Sequence, residues 1–385
     1  MYAHSYLQTA RRILELYDGS APFAVWLKQF FKNHKKHGSR DRRHIAHLCY
    51  CCFRLGSALE HLGGDEQVVC GAFLCSTGPD ALLEQLNPDL NAMAGNPLAQ
   101  KIKWLEENKG FSLQKLFPAY GSLSPAIDGE EFCRSHFIQP DLFLRIRPGQ
   151  ESSVKQKLEK AGIPYAEKSS HTIALPNSTR TEDLPEADTE VVIQDLSSQR
   201  TLDLLLPLLD CTRPLTVWDC CAASGGKSLL LHDRCPSARL TVSDIRESIL
   251  ANLQKRFQRA GISQYRSLVF DASRQSLSNK FDVVLCDAPC SGSGTWGRTP
   301  EQLRFFPKEK ISHYSGLQKS IVLNASRSLR TGGYFLYITC SVFKEENESV
   351  VAYIQQNTAL RLLASQYYKG YGDKADTLFV AVFGS

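Results

Sequence analysis

"DCCAASGGKS", residues 219–228, decides the fold. It almost spells a phosphate-binding loop, which needs a glycine, four spacers and then Gly-Lys-Ser or Gly-Lys-Thr. Gly226-Lys227-Ser228 fit, but the first glycine position holds Cys221. A cysteine lacks the backbone freedom that the phosphate cradle takes from glycine. The G-x-G-x-x-G fingerprint of dinucleotide domains is absent too. A glycine-rich turn therefore follows a strand without being built for a polyphosphate.

Working outward from that turn, helical and extended patterns alternate from about residue 191. "SSQRTLDLLLPLL" reads as a helix and "LTVWDCC" as a buried strand. "RLTVSD" is a strand, "SILANLQKRFQRAG" a helix ending at Gly261, and "FDVVLCDAP" and "GGYFLYITCS" are strands again. Elements of this length imply a doubly wound, Rossmann-like α/β fold with a mainly parallel sheet, whose ligands sit at the carboxyl ends of the strands. Asp244 ends the second strand, twenty-five residues beyond Asp219, where a carboxylate can accept both hydroxyls of a ribose. Asp271, in "LVFDAS", ends another strand on the same rim. Such a rim is a poor host for polyphosphate and a good one for a sulfonium bearing an amino group and a ribose. S-adenosylmethionine has all three, although each aspartate alone reads equally well as a helix cap.

Two cysteines also fall at strand ends. Cys290 lies in "CDAPCSGSGT" and Cys340 in "YITCSVFKEENE". A lone cysteine is by default a small buried hydrophobe. Cys290, between a proline and Ser-Gly-Ser-Gly, has too polar and turn-like a setting for that and points to catalysis. Thiols suit a methyltransferase acting on carbon 5 of cytosine, which is not itself nucleophilic. A thiolate adding to carbon 6 makes the ring an enamine whose carbon 5 can attack a sulfonium methyl. A carboxylate near ring nitrogen 3 helps by managing the proton there, and Asp287, three residues before Cys290, suits that role.

The chain resembles the RNA cytosine-5 methyltransferases, in particular the bacterial ribosomal-RNA type, RsmB. The motifs are "QDLSSQ", "DCCAASGGKS", "VSDIRES", "FDAS", "CDAPCSGSGT", "RTP", "LQKSIVLNASRSLRTGGYFLYITCS" and "EEN". The resemblance implies Cys340 as nucleophile and Cys290 as the group that assists product release. It implies a donor pocket for S-adenosylmethionine built from Cys221, Ala222, Ala223, Ser224, Gly225, Gly226, Lys227, Asp244, Asp271 and Asp287. Three positions depart from the family pattern. Ser224 stands where Pro is usual, Arg145-Ile146-Arg147 where the strand usually ends Arg-Val-Asn, and "DTLF" (Asp376 to Phe379) where "DGFF" is usual.

Upstream, residues 1–115 read as helical, with Ile45, Leu48, Cys49 and Cys52 on one apolar stripe of "RHIAHLCYCCFRLGSALEHL" and a helix start at Ser39. Residues 130–190 change character: "DLFLRIRP" and "HTIAL" read as strands around the charged helix "GQESSVKQKLEKAG". By resemblance these are a NusB-like RNA-binding domain (1–120) and a small, RRM-like α/β domain (121–190), ahead of the methyltransferase domain (191–385). Residues 1–60 hold ten Lys/Arg against four Asp/Glu, and seven cations fall in "KQFFKNHKKHGSRDRR": Lys28, Lys32, Lys35, Lys36, Arg40, Arg42 and Arg43. Charge alone leaves a solvated helix face and a phosphate-binding patch both open, and the resemblance favours RNA. Arg298, in "GRTP", is a further candidate RNA contact.

The cysteine pairs Cys49/Cys52 and Cys70/Cys75 have zinc-like spacing, but the first pair lies on the apolar stripe, so core packing and no metal are expected. Thirteen cysteines without regular spacing suggest reduced thiols rather than a secreted scaffold. The opening "MYAHSYLQTARRILEL" lacks a secretory layout, and no apolar run approaches bilayer-spanning length. The expectation is a cytoplasmic, monomeric enzyme forming 5-methylcytosine in 16S ribosomal RNA, with no membrane partner. The same chemistry on transfer RNA and a non-catalytic RNA-binding assembly factor are the alternatives.

Overall fold

Apolar residues at helical spacing shape the first part of the chain. The computed structural model describes residues 2–385. Helices α1 (Ala3–Leu16), α2 (Phe23–Asn33), α3 (Ser39–Phe53) and α4 (Gly64–Cys75) bury Ala10, Ile13, Phe23, Leu27, Ile45, Leu48, Cys49, Cys52 and Phe73. The Asp41 carboxylate accepts the Gly38 N–H at 2.9 Å and so closes the start of α3. The helix expected to continue through "RLGSALEHL" stops at Phe53. Gly56 has φ +51°, and a Cβ there would lie 1.9 Å from the carbonyl oxygen of Leu116. Only glycine fits, and residues 54–62 form turns. Cys49, Cys52 and Cys70 are buried, and burial pushes their thiols up, so they pack as small neutral side chains.

The contacts group the chain into two compact units. The first takes residues up to 123, then 127–139 and 295–308. The main span of the first unit ends at 123, close to the compositional break at 120, and residues on both sides of 190 belong to the second unit. Phe132, Cys133 and Phe137 are buried, and Phe117 packs against Phe132, His136 and Trp296, which keeps residues 127–139 in the helical unit.

The second unit holds both sheets. The smaller has four antiparallel strands, β1 (Leu142–Ile146), β2 (Ala166–Ser169), β3 (Thr172–Leu175) and β4 (Val191–Ile193), in the order β2-β3-β1-β4. Val154 and Leu158 of the helix Glu151–Lys160 pack on Leu144, Ile146 and Ile173. The unusual Arg147 is structural. It pairs with Asp233 at 2.8 Å and donates to the carbonyls of Asp188 (3.0 Å) and Ala260 (2.9 Å), while buried Arg145 also pairs with Asp233. These bonds tie the small sheet to the elements that follow it.

The larger sheet contains β5 (Thr216–Asp219), β6 (Arg239–Asp244), β7 (Tyr265–Val269), β8 (Phe281–Asp287), β9 (Leu329–Thr339), β10 (Arg361–Lys369) and β11 (Thr377–Gly384). Its order is β10-β11-β9-β8-β5-β6-β7, parallel from β7 to β9 and antiparallel for β11 and β10. Alternate residues of the central strands face opposite layers. Val217, Val283, Leu285 and Leu336 meet the helices Gly226–Arg234 and Glu247–Arg259. Trp218, Val284, Cys286, Phe335 and Tyr337 meet the helices Glu309–Ser326 and Glu348–Asn357. Both faces are covered, which is why these strands read as near-continuous apolar runs. The expected helix over "SSQRTLDLLLPLL" is only one short turn, Leu196–Gln199, and a 3-10 turn around Pro207. Cys211 and Cys235 form a disulfide with Cα atoms 4.8 Å apart, a pairing that the reading of all thiols as reduced misses. Among the described residues, no helix is long and apolar enough to cross a membrane.

Candidate active site

From β5 the chain proceeds to β6 and β7 on one side, then returns to β8 and β9 on the other. Their carboxyl ends diverge at this reversal and leave a crevice, where doubly wound sheets bind ligands. A cavity of about 580 Å³ lies here. Its lining includes Cys221, Ala223, Asp244, Asp271, Asp287, Cys290 and Cys340.

The turn after β5 is held by backbone geometry. Ala223 has φ +46° and Gly225 φ +80°. A Cβ on Gly225 would meet Leu253 Cγ at 2.9 Å and Phe257 Cε1 at 2.8 Å, so glycine is required for both conformation and space. Gly226 then begins the helix Gly226–Arg234. Ser224 is firmly tied despite lacking proline's ring: Arg256 donates to its carbonyl and hydroxyl, each at 3.1 Å. Ala222 is buried, so the cavity is lined by its neighbours rather than by its own side chain.

Asp244 receives the Ala223 N–H at 3.1 Å and the Arg246 N–H and Nε at 2.9 and 3.0 Å. Arg246 Nη2 adds a fourth donor at 3.3 Å, which fills the roughly four lone-pair sites of a carboxylate, so a ligand hydroxyl would take the place of the exposed Arg246 side chain. Asp271 caps its own turn through Ser273 N at 3.0 Å and pairs with Arg274 at 3.2 Å. Ile245, 63% exposed, and Phe270 also line the cavity and give it apolar surface for a flat ring. Sequence reasoning did not single out these two, although an apolar residue beside each strand-end aspartate was the available signal.

Lys227 does not point at a phosphate cradle. Its Nζ lies 2.6 Å from Asp287 Oδ2. Burial works to lower the Lys227 pKa, but the charge and hydrogen bond of Asp287 prevail and hold it above the ordinary lysine value. Asp219 is fully buried behind this pair and accepts the Ser228 hydroxyl at 2.6 Å. Burial, opposed by that bond, pushes its carboxyl up to about 7. Cys220, Cys221 and Cys286 bring their sulfurs within 4.8 Å of one another, the one trio of metal-type donors found among the described residues. Hydrogen bonds from Cys220 and Cys286 pull the Cys221 thiol down to about 5 against the effect of burial.

Cys290 and Cys340, fifty residues apart in sequence, place their sulfurs 3.3 Å apart. The hydrogen bond to Cys340, then burial, then the charges of Cys340 and Glu346 push the Cys290 thiol well above its ordinary value. Both cysteines and the three rim aspartates thus border one cavity. The basic run belongs to the first unit. Lys28 and Lys32 are on α2, Lys35 and Lys36 on the following turn, and Arg40 and Arg43 on α3, all exposed. Arg42 is not a free cation: its Nε donates to the His37 carbonyl at 2.8 Å and its guanidinium lies over Phe31. Arg298 belongs to residues 295–308 of the helical unit and is half-buried.

Residues 207–377 match the family described as 16S rRNA methyltransferase RsmB/F. The chain is 32% identical over 214 residues to ribosomal RNA small subunit methyltransferase B of Xylella fastidiosa, covering 54% of this chain and 50% of that one. It spans about half the length of the curated relatives it matches. The crystal structure of PH0851 aligns over 100% of this chain and 98% of its own, with TM-score 0.70 and 19% identity. A methyltransferase homolog protein from Pyrococcus horikoshii aligns over 69% and 93%, with TM-score 0.58 and 22% identity. These two share the fold. By sequence over residues 207–377 the chain resembles the 16S rRNA methyltransferase RsmB/F family.

Proposed function

We propose that this protein transfers a methyl group from S-adenosylmethionine to carbon 5 of a cytosine in 16S ribosomal RNA, working in the cytoplasm. The observation that carries this reading is the pair of sulfurs 3.3 Å apart at a cavity lined by Asp244, Asp271 and Asp287. An adenosyl ligand suits the cavity: Asp244 for the ribose hydroxyls, Ile245 and Phe270 for the base, and the turn Cys221 to Lys227 for the amino-acid end, near the first N–H groups of a helix. When bound, S-adenosylmethionine supplies an electrophilic methyl on a sulfonium.

The residues then divide the work. Cys340, as thiolate, adds to carbon 6; the pair of the 5,6 double bond shifts to the 4,5 bond and that of the 3,4 bond onto ring nitrogen 3, which takes up a proton. Asp287, coupled to Lys227, holds the ring nitrogen 3 edge and manages the proton there. Carbon 5 becomes nucleophilic and takes the methyl. Once Cys340 is bonded to carbon, its negative charge no longer holds the proton on Cys290, which can pass to solvent. Cys290 then takes the carbon-5 proton, the double bond re-forms, and Cys340 leaves as thiolate. The exposed cations Lys28, Lys32, Lys35, Lys36, Arg40 and Arg43, with Arg298, are the proposed RNA contacts.

The test is transfer of labelled methyl groups to unmodified 16S ribosomal RNA, with transfer RNA as comparison and 5-methylcytosine as the product sought. Label in 5-methylcytosine of 16S RNA supports the reading. Label only in transfer RNA moves the substrate. Binding of RNA with no transfer to either favours an assembly factor.

A further inference from the structure

The "EEN" segment, Glu345 to Asn347, has no place in the chemistry above, yet it lies against both cysteine-bearing turns. Glu346 is fully buried and lines no part of the cavity. Its Oε2 accepts the Ser291 N–H at 2.8 Å and Gln318 Nε2 at 3.1 Å, and its Oε1 accepts the Ser341 hydroxyl at 2.9 Å. Ser291 and Ser341 directly follow Cys290 and Cys340. One carboxylate therefore holds the residue after each sulfur.

The surrounding bonds extend the same clamp. Gln318 Nε2 also donates to the carbonyl of Pro289, the residue before Cys290, at 3.0 Å. The Tyr337 hydroxyl donates to the Glu346 carbonyl at 2.6 Å, which fixes the turn from the β9 side. Asn347 Nδ2 donates to the Ser341 carbonyl at 2.8 Å, and its Oδ1 accepts the Thr339 hydroxyl, so both neighbours of Cys340 are pinned. Three donors converging on one buried carboxylate call for an acceptor at both oxygens, which glutamate supplies and glutamine does not.

We propose that Glu346 is a positioning residue whose buried carboxylate fixes the two strand-end turns so that Cys290 and Cys340 face each other at a working distance. The inference rests on the roles given to those cysteines above. A displacement of about 1 Å at reacting groups costs on the order of 100-fold in rate, so the clamp acts on turnover rather than on cofactor binding.

The experiment compares wild type, Glu346→Gln, Glu346→Asp and Ser341→Ala in the full chain. The first readout is the rate of Cys290–Cys340 disulfide formation with diamide, which takes two electrons and two protons from the thiols and becomes the hydrazine. The second is single-turnover methyl transfer, and the third is the Kd for S-adenosylmethionine. Glu346→Gln is expected to form the disulfide several-fold more slowly and to transfer methyl about 100-fold more slowly, with Kd unchanged. Glu346→Asp, which keeps the charge, is expected to recover part of both rates. A wild-type disulfide rate in folded Glu346→Gln overturns the proposal. If that variant does not fold, a wild-type disulfide rate in Ser341→Ala overturns it instead. If wild type transfers no methyl to RNA but Glu346→Gln still slows the disulfide, the clamp stands and the methylation reading falls.

Discussion

The Cys290 and Cys340 sulfurs lie 3.3 Å apart, and of the two Cys290 is held well above the ordinary thiol pKa. The Cys340 hydrogen bond, burial and nearby negative charge all hold the proton on Cys290. Only a thiolate is a competent nucleophile. Iodoacetamide near pH 8 should therefore label Cys340 ahead of Cys290, with Cys290 reacting first only in Cys340→Ala. Peptide mapping of the labelled protein checks this, and equal labelling of both in wild type contradicts it.

The 2.6 Å pair between Lys227 and Asp287 predicts coupling between the turn after β5 and the carboxylate proposed to hold the base. Lys227→Met, Asp287→Asn and the double variant form a thermodynamic cycle for methyl transfer. The effects should be non-additive by about 1 kcal/mol or more, as for residues in direct contact. Additive effects would separate the two roles.

Gly225 sets the turn by conformation and by space. Gly225→Ala should lower unfolding stability by at least about 1 kcal/mol, from strain at φ +80°, and should weaken cofactor binding as the turn shifts. Denaturant unfolding and calorimetry measure the two effects.

Asp219 predicts a pH dependence of stability. Its folded pKa of about 7 stands above the ordinary carboxyl value of 3.8 because of burial. A raised carboxyl pKa means that the folded state prefers the protonated form. The contribution is fully present below pH 4 and is lost as pH rises toward 7, by an amount of order 4 kcal/mol. Asp219→Asn should flatten that part of the stability profile, whatever its absolute stability. An unchanged slope contradicts the assignment.

The six exposed cations from Lys28 to Arg43 predict salt-dependent RNA binding. Replacing Lys32, Lys35 and Lys36 by alanine should reduce the slope of log affinity against log salt by about 2, with cofactor affinity unchanged. Filter binding across a salt series measures it.

The parallel part of the sheet was legible because strands buried on both faces read as apolar runs that end in Asp219, Asp244 and Asp287. The cysteine pair was legible because Cys290 sits in a setting too polar for a core. The strands β10 and β11 were not read. β10 is largely exposed and lacks an apolar run, and it pairs antiparallel with β11 across a short connection, whereas β11, "TLFVAVFG", is buried and its apolar run was there to be read. The end of α3 was missed because the reason, the Leu116 carbonyl against Gly56, comes from sixty residues away. Glu346 entered the sequence reading only within the motif "EEN", without a role, since nothing local in sequence tells that both cysteine turns close over it. The Lys227–Asp287 pair was hidden for the same reason: each residue was read against a ligand, not against the other.

The most direct test of the central claim is an adduct trap. Cys290→Ala protein is incubated with unmodified 16S ribosomal RNA and S-adenosylmethionine, and the mixture is resolved under denaturing conditions. A covalent RNA–protein species should accumulate and should vanish in Cys290→Ala/Cys340→Ala. Absence of the adduct while wild type methylates the same RNA, or an adduct that survives loss of Cys340, would contradict the assignment of the two thiols.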